Sequence, residues 1–136
     1  MSDAGTAVIV VNWSSDEPVY AQIARQIRAR IIAGGLRIGA VLPSVRSIAS
    51  DLGVNLNTVA RAYRMLEEEG FIEIRDRAGA TVAPRARNVE AEVVERLTED
   101  LGVILARMRQ AGVSNSELRR RVEREIAGFE AQREKN

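Results

Sequence analysis

The chain contains no cysteine and no histidine. Without cysteine there are no disulfides, no thiolate nucleophile and no Cys-ligated metal. Without histidine it lacks the usual proton carrier near neutral pH and the commonest transition-metal ligand. No apolar run approaches the length of a membrane span, and no basic stretch leads into an apolar core at the N-terminus. The expectation is a cytoplasmic protein with no membrane partner, no metal and no cofactor. Lys135 is the single lysine, so the basic side chains are nearly all arginine. Net charge is only +1, and the field of the whole molecule does not point to a polyanion. A nucleic-acid partner has to be argued from where the arginines sit.

What is present is ordinary for a globular chain. Of 136 residues, 46% are hydrophobic and 29% charged, which suits one domain or one domain with a small appendage. Residues 7–12 (AVIVVN) are short, β-branched and apolar, and predict a strand. SSDEP then supplies a helix start, with Asp16 or Glu17 near the cap and Pro18 in the first turn. Tyr20, Ile23, Ile27 and Ile31 follow at helical spacing, giving a first helix over about 18–33 that Gly34 and Gly35 stop. The connector LRIGAVLP leads to Ser44, an N-cap for a second helix over about 45–52. Gly53 ends that helix, and Asn55 caps a third over about 56–69, ended by Gly70. Two short helices joined by a tight glycine turn make a helix-turn-helix. FIEIRDRAGATVAP alternates on both sides of DRAG and predicts a β-hairpin.

Pro84 and the RAR segment mark a boundary. A long amphipathic helix follows over about 89–110, with Val93, Leu97, Leu101, Ile104, Leu105 and Met108 along one side. Gly112 breaks it. Ser114 and Glu117 predict a capping box for a last helix, with Leu118, Val122, Ile126 and Phe129 inward. The expected fold is mostly α with a small β-hairpin. It divides into a winged helix-turn-helix unit at 1–84 and a two-helix appendage at 85–136.

The third helix carries the functional signal. With Val59, Tyr63 and Leu66 turned to the core, the helical period sends Asn57, Thr58, Arg61 and Arg64 outward. Ala60, beside them, is small enough to let the backbone approach a surface. The acidic run Glu67–Glu69 is kept at the far end. Amide, hydroxyl and guanidinium groups suit base edges and phosphates, and the second helix of a helix-turn-helix enters the major groove by its N-terminal residues. Arg46 lies in the first turn of the preceding helix, which crosses the DNA backbone in such motifs. Arg75 and Arg77 flank a hairpin tip at Gly79, where a wing would reach an adjacent groove.

Residues 18–73 resemble the GntR family of bacterial transcription regulators. The family pattern is met in order by PVYAQI, then GLRIGAVLPSVRSIA, then LGVNLNTVARAYRMLEEEG. Most members carry a large effector-binding or aminotransferase-like C-terminal domain. Here only residues 85–136 follow the wing, which resembles the YtrA-type subfamily. The resemblance implies a dimeric winged-helix repressor on a pseudo-palindromic operator in double-stranded DNA, paired through its two C-terminal helices. It also implies control of its own operon together with transporter genes. It carries DNA contacts over onto Arg46, Asn55, Asn57, Thr58, Arg61 and the wing near Gly79; Arg64 is added by helical geometry alone. The chain departs from the pattern in three places. Leu56 stands where the subfamily often has proline, Ser47 replaces a common glutamate and leaves a weaker cap, and the wing RDRAGA is short of a second glycine and a further basic residue.

The stripe on the helix over 89–110 is long for one that only covers a small domain, and two helices alone bury too little surface to stand independently. Pairing with a second copy would complete a four-helix arrangement. An unknown small-molecule effector and a change of dimer geometry are both open as routes to induction, and no effector pocket is evident. Tyr63, Met65 and Trp13 are read as packing residues in preference to a ligand crevice. An enzyme is not expected, because paired carboxylates such as those of Glu67–Glu69 have no partner base or pocket. A winged-helix protein–protein module shares the fold, but would expose apolar anchors where this helix exposes polar groups. Repressor and activator differ only in where the operator lies relative to a promoter.

Overall fold

The computed structural model describes residues 9–75, 79–84 and 90–135. In chain order it contains α1 (Val19–Ile32), β1 (Val41–Leu42), α2 (Val45–Leu52), α3 (Leu56–Glu68), β2 (Ile72–Arg75), β3 (Gly79–Val82), α4 (Ala91–Gln110) and α5 (Asn115–Lys135). The chain divides between residues 84 and 85 into two compact units.

In the first unit α1 packs on α3, and α3 on α2. Ile23 and Ile27 of α1, Ile48 of α2, and Val59, Ala62, Tyr63 and Leu66 of α3 are buried together. Each fully buried aliphatic side chain contributes about 1.5–3 kcal/mol through the water it sheds. The sheet is antiparallel in the order β1-β3-β2, with Ile72 opposite Val82 and Arg75 opposite Gly79. Leu42, Ile72, Ala80 and Val82 turn inward and close the core.

β1 was not expected from the connector, because two residues are too few to display alternation. It pairs Val41 with Thr81 and Leu42 with Ala80, so the wing is a three-stranded sheet. The strand expected over 7–12 is corrected for 9–12, where the chain forms none; residues 7 and 8 lie outside the described residues. Side chains stand in for the missing strand partner. The Gln26 amide accepts from Val10 N at 2.9 Å and donates to Val10 O at 2.7 Å. One turn earlier on α1, buried Gln22 accepts from Asn12 N and donates to the carbonyls of Asn12 and Glu17. One helical turn of α1 matches two residues of extended chain in length. Two glutamines four apart therefore imitate one edge of a β-ladder.

The cap expected at Asp16 or Glu17 is also corrected. Pro18 is the N-cap and no side chain caps α1. The Glu17 carboxylate is drawn instead to Arg25 at 3.0 Å.

The second unit holds α4 and α5. Ser114 Oγ accepts from Glu117 N at 3.2 Å, but the Glu117 carboxylate turns to Arg120 and Arg121 and does not close the capping box. The bonded Arg120 guanidinium holds that carboxyl below its ordinary pKa. Among the described side chains of this unit only Leu118 is buried. No helix among the described residues is long and apolar enough to cross a membrane.

Candidate nucleic-acid interface

The helix-turn-helix is fixed by caps at both ends of its turn. Ser44 Oγ accepts from Ser47 N at 3.0 Å and starts α2. Gly53 ends it at φ 67°, where an L side chain is strained. Val54 N then reaches back to Ala49 O at 3.0 Å, closing the 6→1 bond of a Schellman turn. Asn55 Oδ1 accepts from Asn57 N at 2.7 Å and starts α3. The Asn55 oxygen is thereby used in the fold, and its NH2 group is left as the donor.

Val59, Ala62, Tyr63 and Leu66 face the core, so Asn57, Arg61 and Arg64 stand on the opposite side and are exposed, with Thr58 half-buried at the margin. Buried Tyr63 donates its hydroxyl to Pro43 O at 2.5 Å, and burial raises its pKa above the ordinary 10.0. Two of the three acids at the other end of α3 have structural partners. Glu67 Oε2 accepts from Ile74 N at 2.9 Å on the edge of β2, and Glu69 pairs with Arg28 at 2.7 Å. From Asn57 to Glu69 is roughly 18 Å along a helix axis, so negative charge is held off the exposed polar groups.

The arginines differ in how they are held. Arg46, in the first turn of α2, and Arg64 are exposed, and neither has an ion-pair partner among the described residues. Arg61 is not simply outward: its guanidinium carbon lies 3.8 Å from the centroid of the Tyr20 ring on α1. Arg75 pairs with Glu73 at 3.0 Å at the end of β2. Gly79 opens β3 at φ 82°, and Arg77 lies outside the described residues.

Two side chains on this face were not singled out from the sequence. Tyr20 was read only as a member of the apolar stripe of α1, although its place in PVYAQI set it apart. Leu56, read as a stand-in for proline, is 43% exposed at the first position of α3. An apolar group there suits the C5-methyl of thymine. Of the side chains expected to pair two copies, Val93, Leu97, Leu101, Ile104, Val122, Ile126 and Phe129 are exposed, Leu105 and Met108 are half-buried, and Leu118 is buried.

Residues 19–82 match the family described as bacterial regulatory proteins, gntR family. The uncharacterised HTH-type transcriptional regulator YhcF of Bacillus subtilis is 36% identical over 107 residues, 78% of this chain and 88% of that one. The HTH-type transcriptional repressor YtrA of Bacillus subtilis is 32% identical over 112 residues, 82% of this chain and 86% of its own. Among solved structures, YtrA from Sulfolobus acidocaldarius, a GntR-family transcription factor, superposes with a TM-score of 0.62 at 36% identity, covering 76% of this chain and 98% of that one. With a capped helix-turn-helix, a short wing and two C-terminal helices, the chain belongs to the YtrA-type subfamily of the GntR family of DNA-binding transcriptional regulators.

Proposed function

We propose that the chain acts as a homodimeric repressor on a pseudo-palindromic operator, controlling its own operon and linked genes, transporter genes among them. Residues 1–84 are the DNA-binding domain and 85–136 the dimerisation region. The observation that carries the DNA reading is the division of α3 into a buried apolar face and an exposed polar one, with Asn57, Arg61 and Arg64 on the latter. Asn57, Thr58, Arg61 and Arg64 meet base edges and nearby phosphates. Arg46 and the Asn55 amide hold the sugar-phosphate backbone. Arg75, Arg77 and Gly79 bring the wing to an adjacent groove.

The apolar faces of α4 and α5 support pairing. Leu97 is 61% exposed and Ile104 52%, and an isolated two-helix unit with such faces uncovered lacks a core. A second copy covers them, and an open groove of about 540 Å³ beside the α4–α5 turn, lined by Leu105, Leu118 and Val122 among others, is part of the same surface. Repression is favoured because a relative matched over 82% of this chain and 86% of its own, YtrA of Bacillus subtilis, is named a transcriptional repressor.

The test is selection of bound duplexes from random DNA with the full chain, paired with sedimentation equilibrium. The expected result is a two-fold symmetric motif with half-sites about one helical turn apart, and a dimer in solution. Failure to enrich any duplex at low ionic strength would sink the reading.

A further inference from the structure

We infer that Tyr20 is a positioning residue for base recognition: its ring presets the Arg61 guanidinium and so fixes which base pair that arginine reads. The inference rests on α3 being the reading helix. Tyr20 is half-buried, packed against the core of the first unit, so its ring is an anchored platform. The Arg61 guanidinium lies over it, 3.8 Å from the centroid, while the arginine remains exposed.

A guanidinium stacked on a ring keeps its N–H edge free, since stacking uses the π face and hydrogen bonding uses the rim. That rim is what pairs bidentately with O6 and N7 of guanine. An arginine on α3 without the ring would sweep many rotamers and would lose that freedom on binding. Held by Tyr20, it has already lost it. Among the described residues no ring lies against Arg64, so the two arginines differ in kind: Arg61 is directed, Arg64 is adaptable. Through Tyr20, a residue on α1 shapes the preference of α3.

Dissociation constants of the full chain for its selected site and each single base-pair variant test this, with Tyr20→Leu, Tyr20→Phe, Arg61→Ala and the Tyr20→Leu/Arg61→Ala double variant. Tyr20→Leu should weaken the preferred site roughly 2- to 10-fold, the cost of ordering one long side chain, and should flatten discrimination at the base pair whose preference Arg61→Ala removes. Tyr20→Phe should restore both, and in the double variant the loss should not exceed that of Arg61→Ala alone. If Arg61→Ala leaves the ranking of sites unchanged, base reading by Arg61 falls and this inference with it. If Arg61→Ala alters the ranking and Tyr20→Leu does not, only the positioning role falls. A measurement on the unaltered protein guards against a Tyr20→Leu chain that does not fold: the Arg61 side-chain protons should show ring-current NMR shifts both free and on the duplex. Loss of those shifts on binding would overturn the inference.

Discussion

The Tyr63 hydroxyl on α3 donates to the carbonyl of Pro43, the residue just before the N-cap of α2. This bond ties α3 to the start of α2. It spans the helix-turn-helix at the end away from the Gly53 turn, so the two together fix the angle at which α2 and α3 meet. Tyr63→Phe keeps the ring in the core and leaves the Pro43 carbonyl unpaired. The expected loss is about 1–2 kcal/mol, read as a lower urea midpoint at unchanged m-value.

The same buried phenol makes the fold sensitive to alkali. Its pKa is raised above 10.0 by burial, so the folded state prefers the neutral form. That preference is present in full below about pH 10 and is lost progressively above it, at about 1.4 kcal/mol per pH unit. In a Tyr20→Phe chain Tyr63 is the only tyrosine left. Its tyrosinate absorbance should then rise together with the loss of far-UV helical signal. Ionisation with the helices intact would show the side chain to be accessible.

Gln22 should matter more than its polarity suggests. It is 2% exposed and bonds the Asn12 N–H and the carbonyls of Asn12 and Glu17. Gln22→Leu strands those backbone groups and should cost about 2–3 kcal/mol. Gln26→Leu removes the analogous bonds to Val10 in an exposed place, where water replaces them, and should cost under about 1 kcal/mol. Equal losses in chemical denaturation would mean the chain at 9–12 is not held in this way.

Much of this was legible in the sequence because the signals are local. Ser44, Gly53 and Asn55 mark their helix ends within a residue, since a cap bonds only to the next few N–H groups. Val59, Tyr63 and Leu66 identify the inner face of α3 by period alone. What was illegible depends on contacts distant in sequence. β1 exists only because Thr81 and Ala80 come alongside it. The chain at 9–12 reads as a strand but finds glutamine amides where a neighbouring strand would be. Arg61 reads as free, yet meets a ring 41 positions earlier. No periodicity encodes such a meeting.

The three helix arginines should separate by assay. Arg46→Ala should weaken every duplex alike and lower the salt slope by about one phosphate's worth, roughly 0.9 in log Kd per log salt. Arg61→Ala should cost about 1–3 kcal/mol on the preferred site and reorder the base-pair variants. Arg64→Ala should weaken binding with a smaller change of ranking. Titrations across a range of salt, on preferred and scrambled duplexes, distinguish a slope effect from a ranking effect. An Arg46→Ala chain that reorders sequences would place that arginine at a base.

The stripe on α4 gives the sharpest test of pairing, because an exposed apolar control lies on the same helix. Val93, Leu97, Leu101, Ile104 and Met108 fall within an arc of about 80° at 100° per residue, and Val103 lies about 120° from its centre. Val103 is 59% exposed, more than Leu101 at 48% or Ile104 at 52%, so exposure alone does not separate them. Position on the helix does. Burying a glutamate carboxylate in an apolar interface without a partner is heavily disfavoured, so Leu101→Glu and Ile104→Glu should sediment as monomers while Val103→Glu remains a dimer. On a duplex with both half-sites the monomeric variants should bind about 10²- to 10⁴-fold more weakly, the advantage that linkage confers. On a duplex with one half-site they should match the parent, because α3 is untouched. If Val103→Glu dissociates the dimer as readily as Ile104→Glu, the pairing surface is not this stripe.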